Sequence, residues 1–473
     1  MIHIQKFIPV ACVALLFLAG CSTMAPKYDR PAAPVPAAWP EGAAYQTETT
    51  KAERPLADIP WQEFFTDPQL SKVVALALDN NRDLRIAALN IERTRGLYQI
   101  RRSDLFPKVG ATAGANFERV PEDFSVTGQA YNVDSYDVGV GLSSYELDLF
   151  GRVRSLKDQA LQQYLATEHA RRSVQITLVA EVATAWLNLA ADRERLQLAK
   201  DTLESQKSSY SLTKSRFDAG ISSALDLNQA RTSIEAARAD IARYTTLVAQ
   251  DENALNLLAG SPVPAELHPG SLSTTLTALQ EISPGLPSDV LLSRPDILQA
   301  ENLLRGANAN IGAARAAFFP RITLVSNVGF GSQQLSGLFT GGAFTWGVGP
   351  RISLPLFEGG ANVAALKVSE VDRDIAVARY EKTIQIAFRE VADELARAGT
   401  INEQLAAQQA LTDATAESHM LSQARYDKGV DSYLQVLDAQ RALYGAQQNL
   451  ITLRLIRLAN QVTLYKVLGG GVK

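Results

Sequence analysis

The chain has few cysteines, histidines and methionines, and it has no excess of basic residues. Its 473 residues include two cysteines, four histidines and three methionines, and 46 lysines and arginines face 50 acidic residues. Both cysteines, Cys12 and Cys21, lie near the amino terminus, so the rest of the chain can form no internal disulfide. The histidines lack metal-ligand spacing, and no glycine-rich loop ending in lysine is present to hold phosphate. We therefore predict no catalysis, no cofactor and no nucleic-acid partner.

The amino terminus has the layout of an export signal. Lys6 precedes an apolar run over residues 7–18, which is too short to remain as a membrane span. The small residues before Cys21 are similar to the lipobox of bacterial lipoproteins, which implies cleavage after residues 1–20 and a covalent lipid on Cys21. In such lipoproteins a serine at the next position, here Ser22, directs the product to the outer membrane. An ordinary signal followed by a chance cysteine is the alternative.

Proline is unevenly distributed. It is frequent between residues 26 and 60 and again between residues 262 and 295, but it is missing between Pro121 and Pro262 and after Pro355. The first cluster predicts an extended leader that is solvated or lies on the protein surface. The second predicts a break near the middle of the chain.

The two proline-free tracts predict long helices. Apolar or small residues recur every seven positions, as in a coiled-coil seam: Val182, Leu189, Leu196, Leu203 and Tyr210, and then Ile384, Val391, Ala398 and Leu405. The predicted helices cover residues 152–218 and 360–428, and the first would be about 100 Å long at 1.5 Å per residue.

Each long helix is followed by a copy of one phrase, RFDAGISSALD at 216–226 and RYDKGVDSYLQ at 425–435. Gly220 and Gly429 stand where a left-handed residue would end the helix. Serines follow each glycine and are expected to cap the returning helix: Ser222, Ser223 and Ser432. The repeated phrase therefore predicts two helical hairpin tips.

The duplication extends upstream of the long helices. Residues 81–109 correspond to residues 294–322, and a Phe-Pro pair ends each segment's helical pattern. The periodicity then becomes two in VGATAGANFERV, YDVGVGLSSYELDLF, RITLVSNVGFG and FTWGVGPRISLPLF. Strands of this kind are typical of membrane barrels, although a soluble hairpin packed on the helices is the alternative. Because four strands cannot close a barrel in lipid, several copies must contribute to one barrel.

Single residues within these strands also lead to expectations. Trp346 is a candidate for an aromatic girdle. The strand glycines are expected to relieve crowding rather than bind a cofactor: Gly139, Gly141, Gly347 and Gly349.

Together with the lipobox, the segments WQEFFTDPQLSKVVALALDNNRDL, SYELDLFGRVRSLKDQALQQ, LPSDVLLSRPDILQAE and ANANIGAARAAFFPRI resemble the OprM-type outer-membrane efflux lipoproteins of the TolC superfamily (NodT branch). The resemblance covers essentially the whole chain. It implies a mainly α fold with a membrane β part, in which a homotrimer forms a 12-stranded barrel continued by a helical periplasmic tunnel. It also implies a location in the outer membrane of a Gram-negative bacterium.

The predicted organisation follows the duplication. Residues 1–20 form the signal peptide, residues 21–65 the lipidated leader, and residues 261–290 the linker between repeats. Residues 66–260 and 291–473 each hold a helix, a strand pair and a long helical hairpin.

The resemblance implies a passive exit duct of a tripartite multidrug efflux pump. Its partners would be a periplasmic adaptor, an inner-membrane pump of the resistance-nodulation-division type and outer-membrane lipid. The alternatives are a channel for type I protein secretion and, in another class, a periplasmic adaptor or structural lipoprotein. Because the pump selects the cargo, the sequence does not identify the substrates.

Three residues of the second tip are candidates for a periplasmic gate. Leu434, Asp438 and Arg441 fall on one helix face. The resemblance implies that they form a hydrophobic constriction, a carboxylate ring and a salt-bridge lock, respectively, whereas an ordinary exposed ion pair is the alternative. The first copy has uncharged residues there: Leu225, Gln229 and Thr232. The resemblance also implies that the adaptor grips the tips at Gly220, Ser222, Ser223, Gly429 and Ser432.

Overall fold

A computed structural model describes residues 23–45, 59–272 and 288–470. Its helices are α1 (Trp61–Phe64), α2 (Pro68–Asn80), α3 (Arg82–Ser103), α4 (Arg152–Asp218), α5 (Ala224–Ala259), α6 (Pro295–Ala316), α7 (Ala361–Asp427) and α8 (Tyr433–Val467). Its strands are β1 (Val109–Val120), β2 (Tyr131–Leu147), β3 (Arg321–Ser332) and β4 (Phe344–Ser353). The predicted signal peptide, Cys21 and Ser22 lie outside the described residues.

The described residues belong to two compact units, and each unit takes sequence from both halves of the duplication. The sheet unit holds the described parts of residues 1–32, 90–168 and 299–380. The hairpin unit holds those of residues 33–89, 169–298 and 381–473.

The sheet unit is built on four antiparallel strands in the order β1-β2-β3-β4. Strand β1 begins and ends where the periodicity predicts, and β3 and β4 begin where predicted. Strand β2 begins at Tyr131, ahead of the predicted start at Tyr136, because residues 131–135 continue the ladder with the end of β1. A register shift between Leu142 and Tyr145 marks a bulge beside β3.

The alternation of side chains gives the sheet one apolar face and one polar face. On the apolar face Val328 lies opposite Trp346, and Phe330 lies opposite Phe344. On the other face Asn327 pairs with Gly347. Trp346 is 73% exposed, as expected for a girdle residue. An exposed apolar face of this kind is characteristic of strands in lipid.

Two of the strand glycines permit close approach of neighbouring backbones. A Cβ atom on Gly141 would lie 2.1 Å from the carbonyl oxygen of Ser326, and one on Gly139 would lie 3.1 Å from that of Val328. The prediction that glycine relieves crowding is therefore confirmed in β2. It is wrong for Gly349, where a Cβ atom would meet nothing within 4 Å.

The hairpin unit contains the seams predicted from the seven-residue repeat. Helices α4 and α7 each have 67 residues; α4 has the predicted ends, and α7 lies one residue inside them at each end. The seam residues Val182, Leu189, Ile384 and Val391 are buried. The leader is not simply solvated, because Trp39 stacks on Phe388 with ring centroids 4.9 Å apart.

Candidate functional site at the hairpin tips

The two tips end their long helices with the same backbone motif. Gly220 and Gly429 have φ of +72° and +73°, as predicted for left-handed caps. In the first tip the amide of Gly220 donates to the carbonyl of Phe217, and that of Ile221 donates to Arg216. The equivalent two backbone bonds close the second tip. These positive-φ glycines explain why both copies of the phrase contain glycine at this position.

The returning helices are capped differently, and this corrects one expectation. Ser223 and Asp226 form a reciprocal capping box, to which the Ser222 hydroxyl adds a 3.0 Å bond to the Asp226 carboxylate. Partial burial raises the pKa of Asp226, but the hydrogen bonds from Ser223 and Ser222 outweigh it and lower the pKa overall. Ser432 occupies the N-cap of α8, but its side chain makes no capping bond, so the predicted cap is wrong there. The second tip has no acid at the box position, where Gln435 stands.

This difference predicts unequal effects of serine removal. Ser223→Ala is expected to destabilise the first turn of α5 by about 1 kcal/mol, which corresponds to about fivefold faster amide exchange there. Ser432→Ala is the matched control and should leave exchange in the first turn of α8 unchanged. Hydrogen–deuterium exchange with peptide resolution measures both, and equal effects would contradict the assignment of the caps.

The second tip is held instead by two arginines. The Arg425 guanidinium makes bonds of 2.6 and 2.9 Å to the Asp431 carboxylate, and they lower the pKa of Asp431. Arg216 of the first tip donates to the carbonyls of Tyr426 and Asp427 at 3.1 and 3.2 Å and lies 4.2 Å above the Tyr426 ring. Arg216 therefore connects the two tips. No sequence pattern predicts this role, although an arginine opens both copies of the phrase.

A small core lies beneath the second tip. Tyr426, Tyr433, Val436 and Leu437 pack with Ala230 of the first hairpin. Burial raises the pKa of Tyr433 to about 12. In the described part of the chain neither tyrosine hydroxyl has a hydrogen-bond partner. Tyr433 therefore supports the tip from inside and does not share the exposed face of its neighbour Leu434.

The predicted gate residues share the opposite, exposed face of α8. Leu434 is 44% exposed, and the side chains of Asp438 and Arg441 are each 62% exposed. The Asp438 carboxylate lies 4.0 Å from the Arg441 guanidinium, at the limit of an ion pair. An exposed pair of this kind contributes little within one chain. The structure thus brings the three residues together on one exposed surface.

The tips hold no evident metal centre. Among residues 23–45, 59–272 and 288–470, no group of histidine, cysteine, aspartate or glutamate side chains could hold a metal ion. The described residues of the tips present hydrogen-bonding turns, ion pairs such as Arg425–Asp431 and Asp438–Arg441, and exposed leucines.

A sheet with an exposed apolar face and two long helical hairpins, all in a duplicated chain, define an outer-membrane channel protein. The family model for outer membrane efflux proteins matches residues 73–261 and 286–470, once in each half. The chain therefore belongs to the outer membrane efflux protein family, whose members are transport channels rather than enzymes. The resemblance inferred from the sequence is confirmed, as is the outer-membrane location.

Individual relatives match along nearly the whole chain. The antibiotic efflux pump outer membrane protein ArpC of Pseudomonas putida is 49% identical over 459 residues, which cover 97% of this chain and 94% of that protein. The toluene efflux pump outer membrane protein TtgC, also of Pseudomonas putida, gives the same values. The open-state structure of the Neisseria gonorrhoeae MtrE outer membrane channel is similar, with a TM-score of 0.85 at 36% identity, covering 96% of this chain and 99% of that one.

Proposed function

We propose that three copies of this chain form the passive outer-membrane exit duct of a tripartite multidrug efflux pump. The two open edges of the sheet are the observation that carries the proposal. In the described residues β1 and β4 each pair on one side only. Unpaired backbone groups in hydrocarbon cost several kcal/mol each, so the edges of separate copies must pair with one another. Three copies of the four-stranded sheet supply the twelve strands of one barrel.

The duct needs partners that supply energy. In this proposal the chain catalyses no reaction, and an inner-membrane pump drives transport through a periplasmic adaptor that grips the hairpin tips. Support comes from the relatives, which are named as outer-membrane components of efflux pumps. A lipid on Cys21 would anchor each copy to the membrane. The same names favour efflux over protein secretion, and an adaptor would need one hairpin rather than two.

The exposed face of α8 is the proposed gate. In a trimer, Leu434 would form a ring of apolar side chains, and Asp438 a ring of carboxylates that attracts cations. Arg441, one turn along the same face, can pair with a carboxylate of its own chain or of a neighbouring copy. The support for this proposal is the exposure of all three side chains.

The sequence of this chain does not identify the substrates that it transports. Relatives with the same identity to it are named for antibiotics and for toluene. This observation agrees with selection of the substrate by the pump.

Native mass spectrometry and planar-bilayer recording of the detergent-purified protein test the proposal together. The expected result is a particle of three lipid-modified copies that adds discrete conductance steps to the bilayer. A heat-dissociated sample is the control and should add none. A monomer that associates with membranes without conductance would overturn the channel and favour an adaptor or structural lipoprotein.

A further inference from the structure

One face of α6 is occupied by the leader. Five residues of α6 at spacings of three and four form a single stripe: Glu301, Arg305, Asn308, Gly312 and Arg315. Residues 24–30 of the leader lie along this stripe in the opposite direction. Asn308 donates a 2.7 Å bond to the carbonyl of Pro26, and Arg315 reaches the carbonyl of Met24 at 3.4 Å.

The leader backbone passes directly over the helix at Gly312. A Cβ atom on Gly312 would lie 2.6 Å from the amide nitrogen of Ala25. Any larger residue there would force the leader away from the helix. Glycine at this position therefore leaves room for the leader backbone, and also for the Ser155 hydroxyl oxygen, which would lie 2.5 Å from the same Cβ atom.

A buried carboxylate stands at one end of the stripe. The Glu301 side chain is 4% exposed, and the Arg30 guanidinium meets both of its oxygens, at 3.0 and 2.6 Å. Arg305 and the Tyr28 hydroxyl donate to the same carboxylate at 2.6 and 3.2 Å. Burial raises the pKa of Glu301, but the arginine bonds outweigh it and lower the pKa overall.

The ion pair between Arg305 and Glu301 does not depend on the leader. Both residues lie on α6, four positions apart, so the pair can form whether or not the leader is bound to the helix. The Arg305 guanidinium also lies 4.9 Å from the centre of the Tyr28 ring. A bidentate arginine–carboxylate contact is stronger and more directional than a neutral hydrogen bond.

We infer that Glu301 is a latch that fixes the leader along α6 and so sets the point at which the amino terminus leaves the sheet unit. Met24 is held near the carboxyl end of α6, and β3 begins a few residues later at Arg321. A lipid attached on the amino-terminal side of Met24 would thus be held near the start of β3 in the same chain. This last consequence rests on the proposed lipid attachment, whereas the latch itself does not.

Trypsin cleavage after Lys27 tests the latch. Lys27 is exposed, but its neighbours Pro26 and Tyr28 are held to α6, so the wild-type leader should resist cleavage. Glu301→Gln and Arg30→Ala should each increase the cleavage rate by about tenfold, because cleavage follows the population of the released segment. Arg30→Lys keeps the charge but loses the bidentate geometry and should give an intermediate cleavage rate.

The controls separate the latch from general destabilisation and from channel function. Glu92→Gln replaces an exposed carboxylate of α3 and should leave cleavage at the wild-type rate. Thermal melting of the helices should be unchanged in Arg30→Ala, which leaves the Glu301–Arg305 pair intact. Unchanged cleavage in both latch variants, or faster cleavage that only accompanies a lower melting temperature, would overturn the inference. Because no current is measured, a failed channel proposal would not affect this result.

Discussion

Planar-bilayer recordings of the Asp438→Ala, Arg441→Ala double variant are expected to show large, long-lived openings where the wild-type protein shows small or rare ones. The pair is exposed within one chain, so its individual contribution is small. In the proposed trimer, however, three copies share one mouth, and three pairs of about 0.5–1 kcal/mol each would shift the ratio of open to closed channels by about tenfold or more. Removing the carboxylate ring should also reduce the preference for cations, which the reversal potential in a salt gradient measures.

The first hairpin offers a matched control for this experiment. Glu235 and Arg238 of α5 form an exposed pair with the same i,i+3 spacing and a distance of 3.0 Å. The Glu235→Ala, Arg238→Ala variant should conduct like the wild type. Wild-type behaviour of the Asp438 and Arg441 variant, with insertion confirmed, would mean that the pair is an ordinary surface contact and not a gate.

The second large effect is expected at Gly260. This residue ends α5 with φ of +70°, and a Cβ atom there would lie 2.3 Å from the carbonyl oxygen of Asn80. Gly260→Ala therefore combines left-handed strain with a clash against backbone that cannot rotate away. We expect a loss of about 3 kcal/mol in the free energy of unfolding. Guanidinium-induced loss of helical circular dichroism in detergent measures this change.

Gly220→Ala separates the clash from the strain. Its φ of +72° is almost the same, but a Cβ atom at Gly220 would meet nothing within 4 Å. The cost should be about 1 kcal/mol and confined to the first tip, with little change in the global midpoint. Equal losses in the two variants would show that backbone strain alone decides the stability at Gly260.

The elements that the sequence predicted well are those with a sustained period. The seven-residue spacing and the lack of proline define α4 to its terminal residues, and the two-residue period defines β1 equally well. The extension of β2 was missed, because residues 131–135 become strand only through their pairing with β1. Polar sequence near a turn does not reveal such pairing.

The candidate site was predicted in position but not in its contacts. The spacing of Leu434, Asp438 and Arg441 was enough to place them on one helix face, and the structure shows that this face is exposed. The bonds of Arg216 to the second tip join residues more than 200 positions apart, and no local pattern records them. The capping failure at Ser432 was equally hidden, because a serine at an N-cap does not reveal where its hydroxyl points.

The two tips are stabilised by different contacts, and this difference has a consequence for the order of folding. The first tip closes with bonds between residues three or four positions apart, at Ser222, Ser223 and Asp226. The second tip takes part of its support from Arg216, which is made and exported earlier than Tyr426. Contacts of short sequence separation form first because they close small loops. The amino-terminal hairpin can thus fold as it emerges from the export machinery and serve as a template on which the later hairpin completes its turn.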